Sequence, residues 1–113
     1  MTSVVVVLCT APAEGSGGFS VEKLARTLVE EGLCACVNVV PRVRSFFRWE
    51  GRVDVADEQL LVAKTTAAAA PRLRARLAEL HPYQVPEVLE LDVSGGLPSY
   101  LQWLTASVTP PKG

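Results

Sequence analysis

Cysteine is the most reactive residue type in this sequence, and two of its three copies lie two residues apart. Cys34 and Cys36 form a C-x-C pair, and residues two apart on a β-strand point to the same face. Such a pair suits a soft metal, but a lone C-x-C is more typical of buried structural thiols. A disulfide between two such residues has poor geometry, so we expect reduced thiols.

Groups that would carry out catalysis are not brought together by the sequence. The single histidine, His81, has no evident Ser or Asp partner that would complete a nucleophile and base. Asn38, Arg42 and Arg44 are residue types that acylphosphatase-type hydrolysis uses, but nothing in the sequence places them together. The glycine-rich segment 14–19 lacks the G-K-[ST] ending of a P-loop, which favours a flexible connection. We predict that the protein is not an enzyme.

Composition and charge narrow the classes of partner. The 113 residues are 49% hydrophobic and 20% charged, which is typical of one globular domain spanning residues 1–113. The net charge is −1 without long runs of either sign, so nucleic acid is not expected. The apolar run 4–8 is far shorter than the roughly 20 residues of a membrane span, and no signal peptide is evident. We expect a cytoplasmic protein without a membrane partner.

The hydrophobic periodicity predicts four strands and three helices in the order βαββαβα. The predicted elements are a strand at 3–9, a helix between Ser20 and Gly32, a strand at 35–49 with a bulge or edge at Pro41, a turn at Glu50-Gly51, a strand ending in 60–66, a helix at 68–80, a strand at 88–93 and a helix at 100–108. This order is that of the α+β ferredoxin-like fold, with an extra C-terminal helix. A four-stranded antiparallel sheet should carry both main helices on one face.

The other face of that sheet is predicted to be too apolar for water. The strands carry Phe46, Phe47, Trp49, Leu61 and Val62. Exposed apolar surface of this kind usually marks a protein interface. The sequence therefore indicates an oligomer.

Six segments, in this order and spacing, resemble the CutA divalent-cation tolerance family across nearly the whole chain. They are Leu8-Cys9-Thr10-Ala11-Pro12, Cys36-Val37-Asn38, Trp49-Glu50-Gly51, Lys64-Thr65-Thr66, His81-Pro82-Tyr83-Gln84-Val85-Pro86-Glu87 and Tyr100-Leu101-Gln102-Trp103-Leu104. The resemblance implies a PII-like homotrimer with strands extended across subunit boundaries. It also implies a role in the tolerance of divalent cations, especially copper. Leu80 departs from the family, since some members carry a second histidine there.

The resemblance nominates Cys9 and His81 as copper ligands. A thiolate suits Cu(I), and an imidazole suits copper or zinc. Two ligands do not close a site, so Glu87, a neighbouring subunit or water would supply the others. The alternative is that Cys9 is a small buried hydrophobe and that His81 contacts the last carbonyls of its helix.

A ligand cleft is the second site that the resemblance nominates, because Trp49, Lys64, Tyr83 and Glu87 come from its motifs. If they converge between subunits, they would bind a small ligand, as the clefts of PII-like trimers do. The alternative is an interface salt bridge between Lys64 and Glu87 under an aromatic lid. Two functions therefore stay open: a trimer that binds copper or another divalent metal weakly, and a PII-like signalling scaffold that binds a small ligand or partner protein.

Overall fold

The computed structural model describes residues 3–110, which form four strands and three α-helices. The strands are β1 (Val4–Pro12), β2 (Cys36–Trp49), β3 (Arg52–Thr66) and β4 (Leu89–Asp92), and the helices are α1 (Val21–Glu30), α2 (Ala70–Leu80) and α3 (Pro98–Ala106). The strands make one antiparallel sheet in the order β2-β3-β1-β4. This arrangement confirms the predicted ferredoxin-like fold. None of the helices in the described range is long and apolar enough to cross a membrane.

Helix α1 begins and ends at the residues that the sequence indicates. The Ser20 hydroxyl accepts a hydrogen bond from the Lys23 N–H at 3.1 Å and caps the first turn. Gly32 follows the helix with a φ of 73°, which glycine adopts without steric cost. Thr109 packs so closely here that a Cβ at position 32 would lie 2.0 Å from its hydroxyl oxygen. Gly32 therefore both ends α1 and admits the C-terminal segment.

Strands β2 and β3 form a hairpin that is longer than the rest of the sheet. Glu50 and Gly51 make its turn with φ values of 50° and 81°, as expected of a type I′ turn. The pairing of β3 with β1 ends at Glu58, opposite Pro12. Residues 44–57, which we term the ribbon, therefore extend beyond β1 as two strands. The register shift between Val40 and Val43 confirms the irregularity predicted at Pro41, which has no N–H for the ladder.

The core lies between the sheet and helices α1 and α2. Leu61 is only 1% exposed and belongs to the same buried cluster as Leu28, Leu73 and Leu77. The prediction that Leu61 contributes to the open side of the sheet was wrong. Successive residues of a strand point to opposite faces, so only its neighbour Val62 lies on the side without α1 and α2.

The open face, as we term the apolar surface opposite α1 and α2, is formed by Val6, Leu8, Val62, Leu89 and Leu91. Their shared side follows from the register, which pairs Val6 with Leu91, and Leu8 with both Leu89 and Val62. Leu89 and Leu91 are 54% and 48% exposed. Helix α3 packs against Val4 at one end of this face, so most of the apolar surface has no cover within the described chain.

We expect Leu61→Ala to lower the free energy of unfolding by about 2 to 5 kcal/mol, because the surrounding core cannot close the cavity. Urea denaturation at a fixed protein concentration measures the change. Val29→Ala, at an exposed position of α1, is the control and should change the free energy of unfolding by less than about 0.5 kcal/mol. Equal effects of the two substitutions would contradict the assignment of Leu61 to the core.

Candidate functional site

Cys9 and His81 meet at one backbone oxygen, the carbonyl of Thr10. His81 directly follows α2, and its N–H donates to the Leu77 carbonyl at 2.9 Å. The imidazole Nε2 lies 2.7 Å from the Thr10 oxygen, and the Cys9 thiol donates to the same oxygen at 3.6 Å. The end of α2 and the end of β1 therefore hold the two side chains around a shared acceptor.

The hydrogen bonds of His81 fix its tautomer. A carbonyl oxygen only accepts, so Nε2 must carry the proton that points to Thr10. The other ring nitrogen, Nδ1, accepts from the Tyr83 backbone N–H at 3.2 Å, so it holds the lone pair. Both nitrogens are thus engaged in a neutral ring. A metal would have to displace one of these bonds to reach the imidazole.

The thiol of Cys9 is held in its protonated form. Burial, followed by the nearby carboxylates of Glu87 and Glu58, raises its pKa from 9.0 to about 12. The thiolate is the form that binds metals, so a cation at Cys9 would have to displace a proton. Within residues 3–110, no three His, Cys, Asp or Glu side chains form a group that could hold a metal ion.

A cleft of about 840 Å³ opens between the ribbon and the segment after α2. Its lining residues are Thr10, Ser45, Phe46, Phe47, Trp49, Asp54, Ala56, Glu58, Pro82, Tyr83, Gln84, Val85 and Glu87. The Tyr83 hydroxyl donates to Glu58 Oε2 at 2.8 Å and links the two walls. The rings of His81 and Tyr83 are 4.7 Å apart, so the cleft adjoins the Cys9 and His81 pair.

The cleft is acidic and has no basic side chain among its lining residues. Three carboxylates line it, those of Asp54, Glu58 and Glu87, and none of them takes part in an ion pair within the described chain. Glu58 is only 6% exposed. Burial and the hydrogen bond to Glu58 raise the pKa of Tyr83. Uncompensated negative charge of this kind attracts cations.

Lys64 lies away from the cleft of its own chain, and its predicted meeting with Glu87 between subunits stays a prediction. It stands opposite Cys36 in the sheet, where its amine donates to the Asn38 side chain and to Cys36 Sγ, 3.9 Å away. Six residues of β3 separate it from Glu58, about 20 Å of extended strand. The salt bridge between Lys64 and Glu87 is therefore not formed within one chain, whereas Trp49, Tyr83 and Glu87 do share the cleft.

The prediction that Cys34 and Cys36 point to the same face of one strand was wrong. Strand β2 begins at Cys36, and Cys34 precedes it, fully buried in the core below the helices. Burial raises the pKa of Cys34 to about 12, with a smaller contribution from Cys36. All three cysteines are free in the structure, and their reduced state stays a prediction.

The residue types that acylphosphatase-type hydrolysis uses, which the sequence did not place together, are also not assembled within the described chain. Asn38 is occupied by Lys64, and Arg44 lies 3.8 Å from Asp57 at the start of the ribbon. Asn38 and Arg44 are six residues apart on the same strand, so they cannot converge on one phosphate. The absence of enzymatic activity itself stays a prediction.

Comparison with known proteins shows the family. Residues 5–107 match the family described as CutA1 divalent ion tolerance protein. The chain belongs to the CutA1 family. It is 46% identical over 99 residues to the divalent-cation tolerance protein CutA of Thermus thermophilus, covering 88% of this chain and 92% of that protein.

Solved structures of CutA1 relatives share the fold. The crystal structure of CutA from Xylella fastidiosa superimposes with a TM-score of 0.88 at 36% identity, covering 96% of this chain and 100% of that one. The apo form of the PII-like protein CutA from Nostoc sp. PCC 7120 gives a TM-score of 0.83 at 32% identity, over 95% of this chain and 99% of that one. The resemblance inferred from the sequence motifs is confirmed.

Glu58 is the buried carboxylate of this CutA1 site that the sequence did not reveal. It lies between Asp57 and Gln59, and nothing in that polar pattern distinguishes it from a solvated carboxylate. The one signal in the sequence was that Glu58 lies directly before Gln59, near the point where the buried part of β3 begins. Its burial depends on Tyr83, which reaches it from a segment 25 residues away.

The raised thiol pKa values predict that the protein loses stability in alkali. The folded state binds these protons more tightly, so its advantage is complete below pH 9 and is lost between pH 9 and about 12. Each thiol should lower the free energy of unfolding by about 1.4 kcal/mol per pH unit in that window. Urea denaturation from pH 8 to 11 should show that the free energy of unfolding declines less steeply with pH for Cys34→Ala than for the wild type. An identical slope for the two proteins would contradict the raised pKa of Cys34.

Proposed function

We propose that this CutA1 member is a homotrimer that binds divalent cations weakly in its acidic cleft and thereby contributes to cation tolerance. The carboxylates of Glu58 and Glu87 are the first ligands of the cation. Cys9 and His81 lie next to them and join only when the cation is soft, as copper is. In this function, residues 1–113 act as one cytoplasmic, non-enzymatic domain.

The observation that carries this proposal is the set of three carboxylates in the cleft without an ion pair among residues 3–110. Carboxylates that line one cleft without a basic side chain give it a negative potential, which favours a cation there. Oxygen ligands suit hard divalent ions such as Mn²⁺. A cation that enters the cleft would therefore be attracted by carboxylates that have no ion-pair partner among residues 3–110.

Copper requires more rearrangement than a hard cation does. Cys9 must lose a proton that burial and two carboxylates retain, and His81 must give up a hydrogen bond to Thr10 or Tyr83. Both changes cost free energy, which makes the copper site weak. A neighbouring subunit or water would supply the remaining ligands.

The open face supports the trimer. Its leucines and valines form an apolar surface that nothing among residues 3–110 covers, and surfaces of this kind are usually interfaces. Within residues 3–110, the edge strands β2 and β4 also have no neighbouring strand on their outer sides, and association would protect these edges. An interface of this type commonly buries more than about 2,000 Å².

For the cation site, we expect Glu87→Gln and Glu58→Gln each to weaken Mn²⁺ binding at least about tenfold, or about 1.4 kcal/mol. Each substitution removes a charge but keeps the shape of the side chain. Cys9→Ser and His81→Ala should leave Mn²⁺ binding nearly unchanged and weaken copper binding in an anaerobic Cu(I) competition titration. Isothermal titration calorimetry measures the Mn²⁺ affinity.

Cys34→Ser is the matched control for Cys9→Ser, since it also replaces a buried thiol but at a position outside the cleft. It should leave both affinities unchanged. Mn²⁺ binding that is insensitive to both glutamate substitutions would overturn the carboxylate site. Copper binding that is insensitive to Cys9→Ser and His81→Ala would exclude those two residues as copper ligands.

For the assembly, we expect Leu91→Lys to dissociate the trimer, because it places a charge in the apolar surface that would be buried. Light scattering coupled to size-exclusion chromatography should give the mass of a trimer for the wild type and of a monomer for the variant. Glu30→Lys, on the exposed side of α1, is the control and should remain trimeric. A trimer that survives Leu91→Lys would exclude the open face as the interface.

A second candidate function is a PII-like scaffold that binds a small organic ligand in the same cleft. The observation that favours it is the aromatic lining, since Phe46, Phe47, Trp49 and Tyr83 surround a volume far larger than a metal ion. Aromatic walls with a few polar groups are typical of sites for organic molecules. The two functions can share the cleft because they use different parts of its surface.

A further inference from the structure

We propose that the aromatic part of the cleft binds a small organic cation, an ammonium group carried on an apolar body. This inference rests on the proposed function in one respect, the acidic character of the cleft. It goes further in assigning the chemical class of the organic ligand and the residues that select it: Trp49, Tyr83 and Glu58.

The aromatic walls provide the first argument. Phe46 is 67% exposed and Trp49 is 40% exposed, although both are large apolar side chains that usually become buried. They line the same cleft as Phe47 and Tyr83. The face of an aromatic ring attracts a cation that lies within about 6 Å of its centre, and Trp does so most strongly. Exposed rings around a cavity therefore offer a place for a positively charged group.

Glu58 provides the second argument, which is independent of the rings. It is 94% buried, yet no cation pairs with it among the described residues. Its Oε2 accepts from the Tyr83 hydroxyl at 2.8 Å. A buried carboxylate without an opposite charge is unfavourable. An ammonium group in the cleft would supply that charge.

The combination of rings and carboxylates distinguishes an organic cation from a metal ion. A divalent metal ion prefers oxygen, nitrogen or sulfur ligands and gains little from ring faces. A substituted ammonium binds to both the rings and the carboxylate. The cleft volume of about 840 Å³ lies within the range of roughly 300 to 1,000 Å³ that is usual for organic ligands.

Choline and its neutral isostere 3,3-dimethylbutan-1-ol are the probes for the test, because they share a shape and differ in charge. The protein contains two tryptophans, Trp49 and Trp103, so Trp103→Phe leaves Trp49 fluorescence as a reporter within the cleft. In this background, choline should change the emission with saturation in the millimolar range. The neutral isostere should bind at least about tenfold more weakly.

The variants test the residues. Glu58→Gln in the same background should weaken choline binding at least about tenfold, while Glu30→Gln, at an exposed position on α1, should leave it unchanged. Trp49→Leu removes the reporter, so its effect is measured by calorimetry and should be a similar loss. Circular dichroism and light scattering establish that each variant is folded and assembled.

Three results would overturn the proposal. The first is equal binding of choline and its neutral isostere, which would indicate an apolar groove only. The second is absence of choline binding, or binding that Glu58→Gln does not change. The third is choline binding that arises only when Leu91→Lys dissociates the assembly, which would mean that a second copy of the chain fills the cleft.

A Mn²⁺ titration of the same samples separates this proposal from the cation-tolerance function. Choline binding without Mn²⁺ binding would support the organic-cation site and remove the metal function. Mn²⁺ binding without choline binding would support the metal function and remove the organic-cation site. If both bind and both depend on Glu58, each should weaken the other, because they compete for one carboxylate.

Discussion

The alternation of side chains along β3, the central long strand, is the constraint on which the rest of the structure depends. Leu61 faces the helices and completes the core, while Val62 and Lys64 face the opposite side. A shift of one residue would exchange these faces and leave the core without its leucine. The same alternation therefore determines both the stability of the protomer and the apolar surface that it presents for assembly.

The cleft arises where the pairing between β3 and β1 stops. Glu58 is the last residue of β3 opposite β1, and beyond it β3 continues only with β2 as the ribbon. The chain after α2 returns to this point because His81 bonds the Thr10 carbonyl. Tyr83 then reaches Glu58. The end of the β1 ladder thus provides both a buried carboxylate and the space in front of it.

Burial and charge work against each other at this site. The environment that keeps Cys9 protonated also places carboxylates near it. The carboxylates favour a cation, but the thiol that would bind a soft metal keeps its proton. His81 supports the architecture with both ring nitrogens. In the function that we propose, such a site binds cations reversibly and weakly. The aromatic walls would add an affinity for organic cations that carboxylates alone lack.

The sequence by itself determined the order of the elements, the cap at Ser20, the helix end at Gly32, the irregularity at Pro41 and the family, because these depend on local chemistry or on short motifs. It also indicated Trp49, Tyr83 and Glu87 as neighbours. Only the tertiary structure decided that Lys64 lies outside the cleft of its own chain and that Glu58 is buried in the cleft. Those facts depend on the register between distant strands and on desolvation, and both arise only when segments remote in sequence come together.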